Sequence, residues 1–289
     1  MTPYRGRFAP SPTGPLHAGS LATALASWLD ARSADGVWII RIEDLDPPRS
    51  VAGAAVHIVG TLNECGLESD EPVVFQSERS PLYEAAFSRL QSAGLVYGCT
   101  CSRKDVEDII EAQAGWPAGV YPGTCAIGAA PDKPVRAYRT RVPDQQLGFV
   151  DRAAGHYTQH LKFDVGDFVV RRGDGLWAYQ LAVVVDDAEQ GITDVVRGAD
   201  LLDNTPRQIF LQRALGLATP RYLHVPLVRG ATGEKLSKQT GATAIDDKQP
   251  LAALQTVALH LGLGIIDAPT IDGFLKRAIV RWRATHQNE

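Results

Sequence analysis

The sequence is short of positive charge. Lysine and arginine together number 29 against 33 aspartates and glutamates, a formal net charge of −4 over 289 residues. This excludes a chain that holds nucleic acid with a uniformly basic surface and leaves that task to local clusters. One cluster, Lys276, Arg277, Arg281 and Arg283, stands near the C-terminus, although a solvated helix face would read the same way. No apolar run is long enough to span a bilayer and no secretory leader is visible, so the expected location is cytoplasmic, with no membrane partner. Heptads, internal repeats and low-complexity tracts are also missing. What is present is 45% apolar content, enough for sizeable cores, at a length that suggests about two domains.

Two segments stand out. The first is Arg7-Phe-Ala-Pro-Ser-Pro-Thr-Gly-Pro-Leu-His-Ala-Gly-Ser20. Residues 4–9 can form a short strand, which the following prolines and Gly14 end in a turn. Leu21, Leu25, Trp28 and Leu29 then fall on one face of a helix. His17, Gly19 and Ser20 therefore sit at a helix N-terminus, where free N–H groups and the helix dipole favour phosphate. Gly19 would let a planar base approach the backbone, and His17 can donate to phosphate oxygens. The second segment is Lys235-Leu-Ser-Lys-Gln239, flanked by glycines. Lys235 and Lys238, three residues apart, can close on ATP phosphates and neutralise charge as pyrophosphate leaves.

The cysteines number four. Cys65 lies in an apolar helical stretch and reads as a core residue. Cys99 and Cys101 form a Cys-x-Cys pair, and Cys125 follows. In a cytoplasmic chain that pattern suggests zinc rather than a disulfide. Three thiolates need a fourth ligand for a closed tetrahedral site, and His156, His160 or Tyr121 could supply it.

The expected fold is α/β: a Rossmann-type parallel-sheet nucleotide-binding core with an inserted zinc-containing α+β subdomain and a short helical C-terminal region. Residues 1–96 and 166–229 would form the two halves of the core. The cysteines, prolines and short strands of 97–165 would form the insert, and 230–289 the lysine loop and C-terminal helices. The apolar run Val37–Ile42 reads as a buried parallel strand ending in Glu43 and Asp44. Helices are expected over 52–65, from Ser80 to about Gly94, over 177–187 and over 201–215, and again after 250. Strands are expected over 167–172 and 194–197. Arg7, Glu43 and Arg197 would then share the carboxyl ends of strands, where open α/β sheets bind ligands. Two arginines and a glutamate could recognise an amino acid with an extra carboxylate, the arginines pairing with its acid groups and the glutamate with its ammonium.

The two segments together resemble the "HIGH" and "KMSKS" signatures of class I aminoacyl-tRNA synthetases. With Arg41-Ile-Glu-Asp-Leu-Asp, Trp177-Ala-Tyr-Gln-Leu-Ala-Val-Val-Val-Asp-Asp and Val196-Arg-Gly-Ala-Asp-Leu-Leu, the chain closely resembles the catalytic core of glutamyl-tRNA synthetases over most of its length. The resemblance implies glutamate contacts from Arg7, Ala9, Ser11, Glu43, Tyr179 and Arg197. It implies Mg-ATP at His17, Gly19, Ser20 and Lys238, with Lys235 beside it, and zinc on Cys99, Cys101, Tyr121 and Cys125. Ser20, Leu236 and Gln239 depart from the usual motif residues, but none removes a charge. Only 50 residues follow Gln239, too few for an anticodon-binding domain. That truncation, with the cysteine insert, resembles the glutamyl-queuosine tRNA(Asp) synthetases. It implies a monomeric ligase whose partners are L-glutamate, ATP and queuosine-containing tRNA(Asp). A compact enzyme charging the 3′ end of tRNA(Glu), a non-catalytic paralogue, and a small adenylyl- or cytidylyltransferase are the alternatives.

Overall fold

The structure is a computed structural model and describes residues 3–113, 115–130, 132–228, 245 and 248–286. Lys235 and Lys238 lie outside the described residues. In the first part of the chain, β1 (Arg5–Phe8), α1 (Ala18–Ser33), β2 (Val37–Ile42), α2 (Ala54–Glu64) and β3 (Val74–Phe75) alternate, followed by α3 (Ser80–Ser92). The middle holds β4 (Val96–Cys99), α4 (Arg103–Ala112), β5 (Ala137–Thr140), β6 (Gln146–Asp151), β7 (Gly155–His160) and β8 (Phe168–Arg172). Then come α5 (Tyr179–Glu189), β9 (Asp194–Gly198), α6 (Thr205–Ala214), β10 (Arg221–Val225), α7 (Pro250–His260) and α8 (Ile271–His286).

The strands of the core run parallel. β1 pairs with β2 in the register Arg5 opposite Val37 to Phe8 opposite Ile40, and β2 pairs with β3. β9 pairs with β10 over its full length. Just ahead of β9, the Thr193 N–H donates to the Arg5 carbonyl at 2.9 Å, which sets β9 beside β1. β2 is apolar throughout because both its faces are covered. Trp38, Ile40 and Ile42 join one core with α1, α7 and α8, while Ile39 joins another with α3, α5 and α6. Arg41 points to that second side and is fully buried. α1 lies between sheet and C-terminal helices and buries residues around most of its circumference.

The strands from β4 to β8 divide between two sheets, so the expected boundaries of the insert at 97 and 165 do not separate them. β4, β5 and β8 form a small antiparallel sheet. The β6–β7 hairpin instead extends the core sheet, in the order β7-β6-β10-β9, through a parallel bridge of Asp151 with Tyr222. The sequence reading found short strands here but no helix. α4 forms nonetheless, with Ser102 and Asp105 making a reciprocal capping box at its start.

The C-terminal basic cluster serves the fold. Arg281 donates to the Leu263 carbonyl at 2.6 Å, Arg283 to the Ser33 carbonyl at 2.6 Å, Arg277 to that of Asp267, and Lys276 pairs with Asp272. Beside them the Trp282 indole, fully buried, donates to Asp30 at 2.9 Å. The cluster that read as a candidate RNA contact thus largely satisfies loop and helix-end carbonyls. No helix among the described residues is long and apolar enough to cross a membrane.

Candidate active site

The prolines after β1 end the strand, and the turn they make is tied down on its far side. The Glu43 N–H donates to the Pro10 carbonyl at 2.9 Å, and that of Val51 to Pro12 at 2.9 Å. Gly14 takes φ +131°, a region closed to most side chains. The chain then enters α1 through His17, which is the N-cap residue itself: its Nδ1 accepts the Ser20 N–H at 3.3 Å. In that tautomer Nε2–H faces Ser20 Oγ at 3.0 Å.

A pocket of about 350 Å³ opens over this N-terminus and the carboxyl ends of β1, β2 and β9. The proposed amino-acid contacts Arg7, Ala9, Ser11, Glu43, Tyr179 and Arg197 all line it, as do His17, Gly19 and Ser20. Two groups of residues separated by up to 190 positions in the chain thus share one cavity. It leads past Ser11, Glu43 and Tyr179 into a groove of about 1060 Å³ between the core and α4.

The two arginines are not equivalent. Arg7 is almost fully buried and makes a bidentate contact with Asp187, at 3.0 and 3.4 Å. Asp187 also pairs with Arg41 at 2.9 Å, and Arg41 reaches Glu43 at 3.3 Å and Asp186 at 3.7 Å. Asp186 in turn accepts from Arg79, Tyr83 and Gln76 at 2.6–2.8 Å. Three arginines and three carboxylates balance in this network. Burial raises the Asp187 carboxyl, but Arg7 and Arg41 outweigh it and hold the group below the usual range. For Glu43 burial wins over Arg41 and Arg7, and its carboxyl is pushed up to about 7.

Arg197 has no carboxylate in contact among the described residues. It donates to His224 Nε2 at 3.1 Å, to Gln208 Oε1 at 2.8 Å, to Thr205 Oγ1 at 2.8 Å and to the Leu201 carbonyl at 3.4 Å. The recess expected to be doubly cationic is therefore built from one neutralised arginine and one uncompensated arginine. Sequence reasoning quoted Arg41, Asp186 and Asp187 within motifs without giving them roles. The available signal was a charge inside an otherwise apolar run. Asp151 and His224, which complete the Arg197 surroundings, carried no signal, since each stands alone in a short strand.

The cysteine insert makes a second centre. The Sγ atoms of Cys99, Cys101 and Cys125 lie within 4.8 Å of one another. The Tyr121 hydroxyl sits 3.5 Å from Cys99 Sγ and 3.7 Å from Cys101 Sγ. Burial raises the Cys125 thiol, but hydrogen bonds from Tyr121, the Thr100 backbone and Cys101 outweigh it and bring it down to about 6. Three convergent sulfurs and a phenol oxygen are a donor set that fits a tetrahedral metal ion. His160 is instead 3.3 Å from Asp144, and among the described residues no histidine joins the cluster, so of the three candidate fourth donors Tyr121 is the one beside the sulfurs.

Comparison with known proteins agrees with this geometry. A family model described as tRNA synthetases class I (E and Q), catalytic domain, matches residues 4–253. The glutamyl-Q tRNA(Asp) synthetase of Burkholderia mallei is 58% identical over 290 residues, covering 98% of this chain and 97% of that protein. The protein of the same name from Ralstonia nicotianae is 55% identical, covering 97% and 91%. Among solved structures, a glutamate tRNA ligase of Elizabethkingia meningosepticum, crystallised in complex with its amino acid, superposes with a TM-score of 0.79 at 25% identity. That match covers 94% of this chain but only 64% of the ligase.

Proposed function

The chain belongs to the tRNA synthetases class I (E and Q), and from that premise we propose that it activates L-glutamate with Mg-ATP and transfers it to the queuosine base at the wobble position of tRNA(Asp). The observation that carries this reading is the single pocket of about 350 Å³ in which the amino-acid contacts and the N-terminus of α1 meet. Glutamate lies with its side-chain carboxylate on Arg197 and Arg7 and its ammonium at Glu43, with Ala9, Ser11 and Tyr179 completing the wall. ATP lies over His17, Gly19 and Ser20, and Lys235 and Lys238 of the second signature are its further proposed partners. The α-carboxylate attacks the α-phosphorus in line, and His17 and Lys238 stabilise charge as pyrophosphate leaves. A diol hydroxyl of queuosine then attacks the glutamyl carbonyl and AMP departs. The protein's share is positioning and electrostatic preorganisation.

The acceptor nucleoside enters along the groove that shares Ser11, Glu43 and Tyr179 with the pocket. Arg49, Arg103, Arg136, Arg139 and Arg172 lie along it together with Glu43, Asp46, Glu107, Glu111 and Asp174, a lining of mixed charge in which Arg49 and Arg172 pair with Asp46 and Asp174. In this reading residues 1–96 and 166–229 form the catalytic core and 97–165 the insert, except that β8 completes the sheet of the insert and the β6–β7 hairpin extends that of the core, and 230–289 supply the lysine loop and the C-terminal helices.

The test is incubation with radiolabelled glutamate, ATP and separate tRNAs. Label should enter tRNA(Asp) carrying queuosine and not the unmodified form. Label at the 3′ end of tRNA(Glu) would instead identify a compact charging enzyme, and no glutamate-dependent pyrophosphate exchange a non-catalytic relative.

Two further results are expected. Glu43 must be ionised to hold the substrate ammonium, so KM for glutamate should fall as pH rises through about 7. Below that value the rise should approach roughly tenfold per pH unit. A KM that stays flat from pH 6 to 8 would contradict this role. The fourfold donor set of Cys99, Cys101, Tyr121 and Cys125 suits a structural zinc that ties β4 to the segment before β5. Metal analysis should find about one zinc per chain, and Cys125→Ser should abolish it and lower Tm by roughly 5–10 °C. Metal-free protein with an unchanged Tm would remove the claim.

A further inference from the structure

Beneath Arg197 lies a buried chain of polar groups that the proposed reaction does not itself use. His224, on β10, is fully enclosed. Its Nδ1 lies 2.6 Å from Asp151 Oδ2, and its Nε2 lies 3.1 Å from Arg197 Nε. An arginine Nε can only donate, so His224 Nε2 must present a lone pair. Nδ1 therefore carries the proton and gives it to Asp151. The geometry dictates one neutral tautomer of the imidazole, and an imidazolium or the opposite tautomer would set two N–H groups against each other.

Asp151 is built to impose that choice. It sits where β6 turns back into β7, and its Oδ1 accepts the N–H groups of Ala153 at 3.0 Å, Ala154 at 2.8 Å and His224 at 3.3 Å. Those backbone bonds fix the carboxylate, leaving Oδ2 for the imidazole. The next residue, Arg152, anchors the same turn to the buried Asp30 of α1 at 2.6 Å. A hairpin from the middle of the chain is thereby locked to the core on one side and to the amino-acid pocket on the other.

We propose that Asp151 and His224 are positioning residues for glutamate recognition, holding the Arg197 guanidinium toward the substrate carboxylate without neutralising it. This rests on the reading that Arg197 receives that carboxylate. A carboxylate placed directly on Arg197, as Asp187 is on Arg7, would compete with the substrate for the cation. An imidazole interposed between them satisfies Nε–H with a neutral acceptor and keeps the anion one ring away. Gln208, Thr205 and the Leu201 carbonyl occupy further N–H groups, so four of the five donors are engaged within the protein. One Nη1–H remains to meet the ligand in the pocket that Arg197 lines.

The experiment is glutamate-dependent pyrophosphate exchange by the full chain, with KM for glutamate, KM for ATP and kcat measured for three variants. His224→Phe keeps ring volume but offers no acceptor, and should raise KM for glutamate roughly tenfold to a hundredfold, with KM for ATP within about twofold of the parent. His224→Gln can place an amide oxygen near the Nε2 position and should recover most of that loss. Asp151→Asn should let the side-chain amide donate to Nδ1, select the wrong tautomer and reproduce the His224→Phe defect. Thermal melts of all three report whether the fold is intact. Activity in the parent with an unchanged glutamate KM in folded His224→Phe and Asp151→Asn would overturn the proposal while leaving the glutamate reading standing. An equal rise in both KM values, or no recovery with His224→Gln, would reduce the pair to ordinary packing and overturn it too. A parent without glutamate-dependent exchange would overturn both.

Discussion

Arg197→Ala is expected to lower kcat/KM for glutamate activation by roughly three orders of magnitude. The cation is buried and lacks a carboxylate partner among the described residues, and in the proposed reading the substrate carboxylate supplies the missing charge. Truncating one side of a buried charge pair costs about 2–5 kcal/mol, and every ~1.4 kcal/mol is tenfold in rate. Lysine should rescue little. Arg197 engages His224, Gln208 and Thr205 through three different nitrogens, and a single ammonium cannot span them. Discrimination should fail together with rate. A neutral amide in place of the substrate carboxylate would leave Arg197 underpaired, so the wild type should reject glutamine and the alanine variant should lose much of that preference. Pyrophosphate exchange with both amino acids checks this, and a glutamate rate within tenfold of wild type would refute the assignment.

The second large effect is on the fold. Asp187→Asn should destabilise the protein by about 3–5 kcal/mol, because it leaves Arg7 and Arg41 short of their shared anion deep in the second core. Arg41 would keep Glu43 and Asp186, both farther away. The pH dependence has a definite sign. The folded Asp187 carboxyl titrates below its unfolded value, so its contribution is complete above the ordinary carboxylate range near 3.9 and is lost as pH falls through the lowered value. Glu43 behaves oppositely. Its carboxyl is raised to about 7, so the empty protein loses stability as pH climbs from the ordinary glutamate range to that point. Chemical denaturation of both variants across pH separates the terms: Asp187→Asn should be weaker than the parent at neutral pH, and Glu43→Gln equal or stronger at pH 8. An Asp187→Asn protein as stable as the parent would show that the buried network contributes nothing net.

Glu43 thus sits at a conflict between stability and function. A carboxyl whose ionisation the fold delays to about pH 7 stands where, in the proposed reading, a substrate ammonium would favour the charged form. A raised carboxyl lining a cavity is what an ammonium-binding role would need, and the KM–pH profile tests it.

Several elements were legible before any coordinates. β2 matched its expected limits because an uninterrupted apolar run with covered faces admits few alternatives. α3 covers Ser80–Ser92, close to the expected span from Ser80 to about Gly94, with Pro81 in its first turn where a missing N–H costs nothing, but Arg79 and not Ser80 is the N-cap residue. The helix expected over 201–215 proved to be a 3-10 turn over Ala199–Asn204 followed by α6, because Pro206 suits the first turn of a helix and not its interior. α4 carries a helical signal, Val106, Ile109 and Ile110 at i, i+3 and i+4 behind the Ser102–Asp105 cap, but the stripe is short, none of its residues is fully buried, and the cysteines and prolines around it outweigh it. The strands of the insert were expected, but not their division between two sheets, since a hairpin's partner is set by what packs beside it. Tyr121 illustrates the same limit for the metal centre. Its chemistry alone ranks below histidine; the resemblance implied it, and the structure places its hydroxyl beside the sulfurs of Cys99 and Cys101.

Read alone, the chain specifies the ligand chemistry. Residue types at short spacings point to a helix start suited to phosphate, arginines suited to carboxylate and a thiol cluster, because each depends on local backbone and on the side chain's own donors. Tertiary structure decided which charges remain available. Arg7 and Arg197 look alike in one dimension, yet Asp187 from α5 neutralises the first and His224 from β10 shields the second. Net charge at a point is a sum over everything folded around it, and no window of sequence contains that sum.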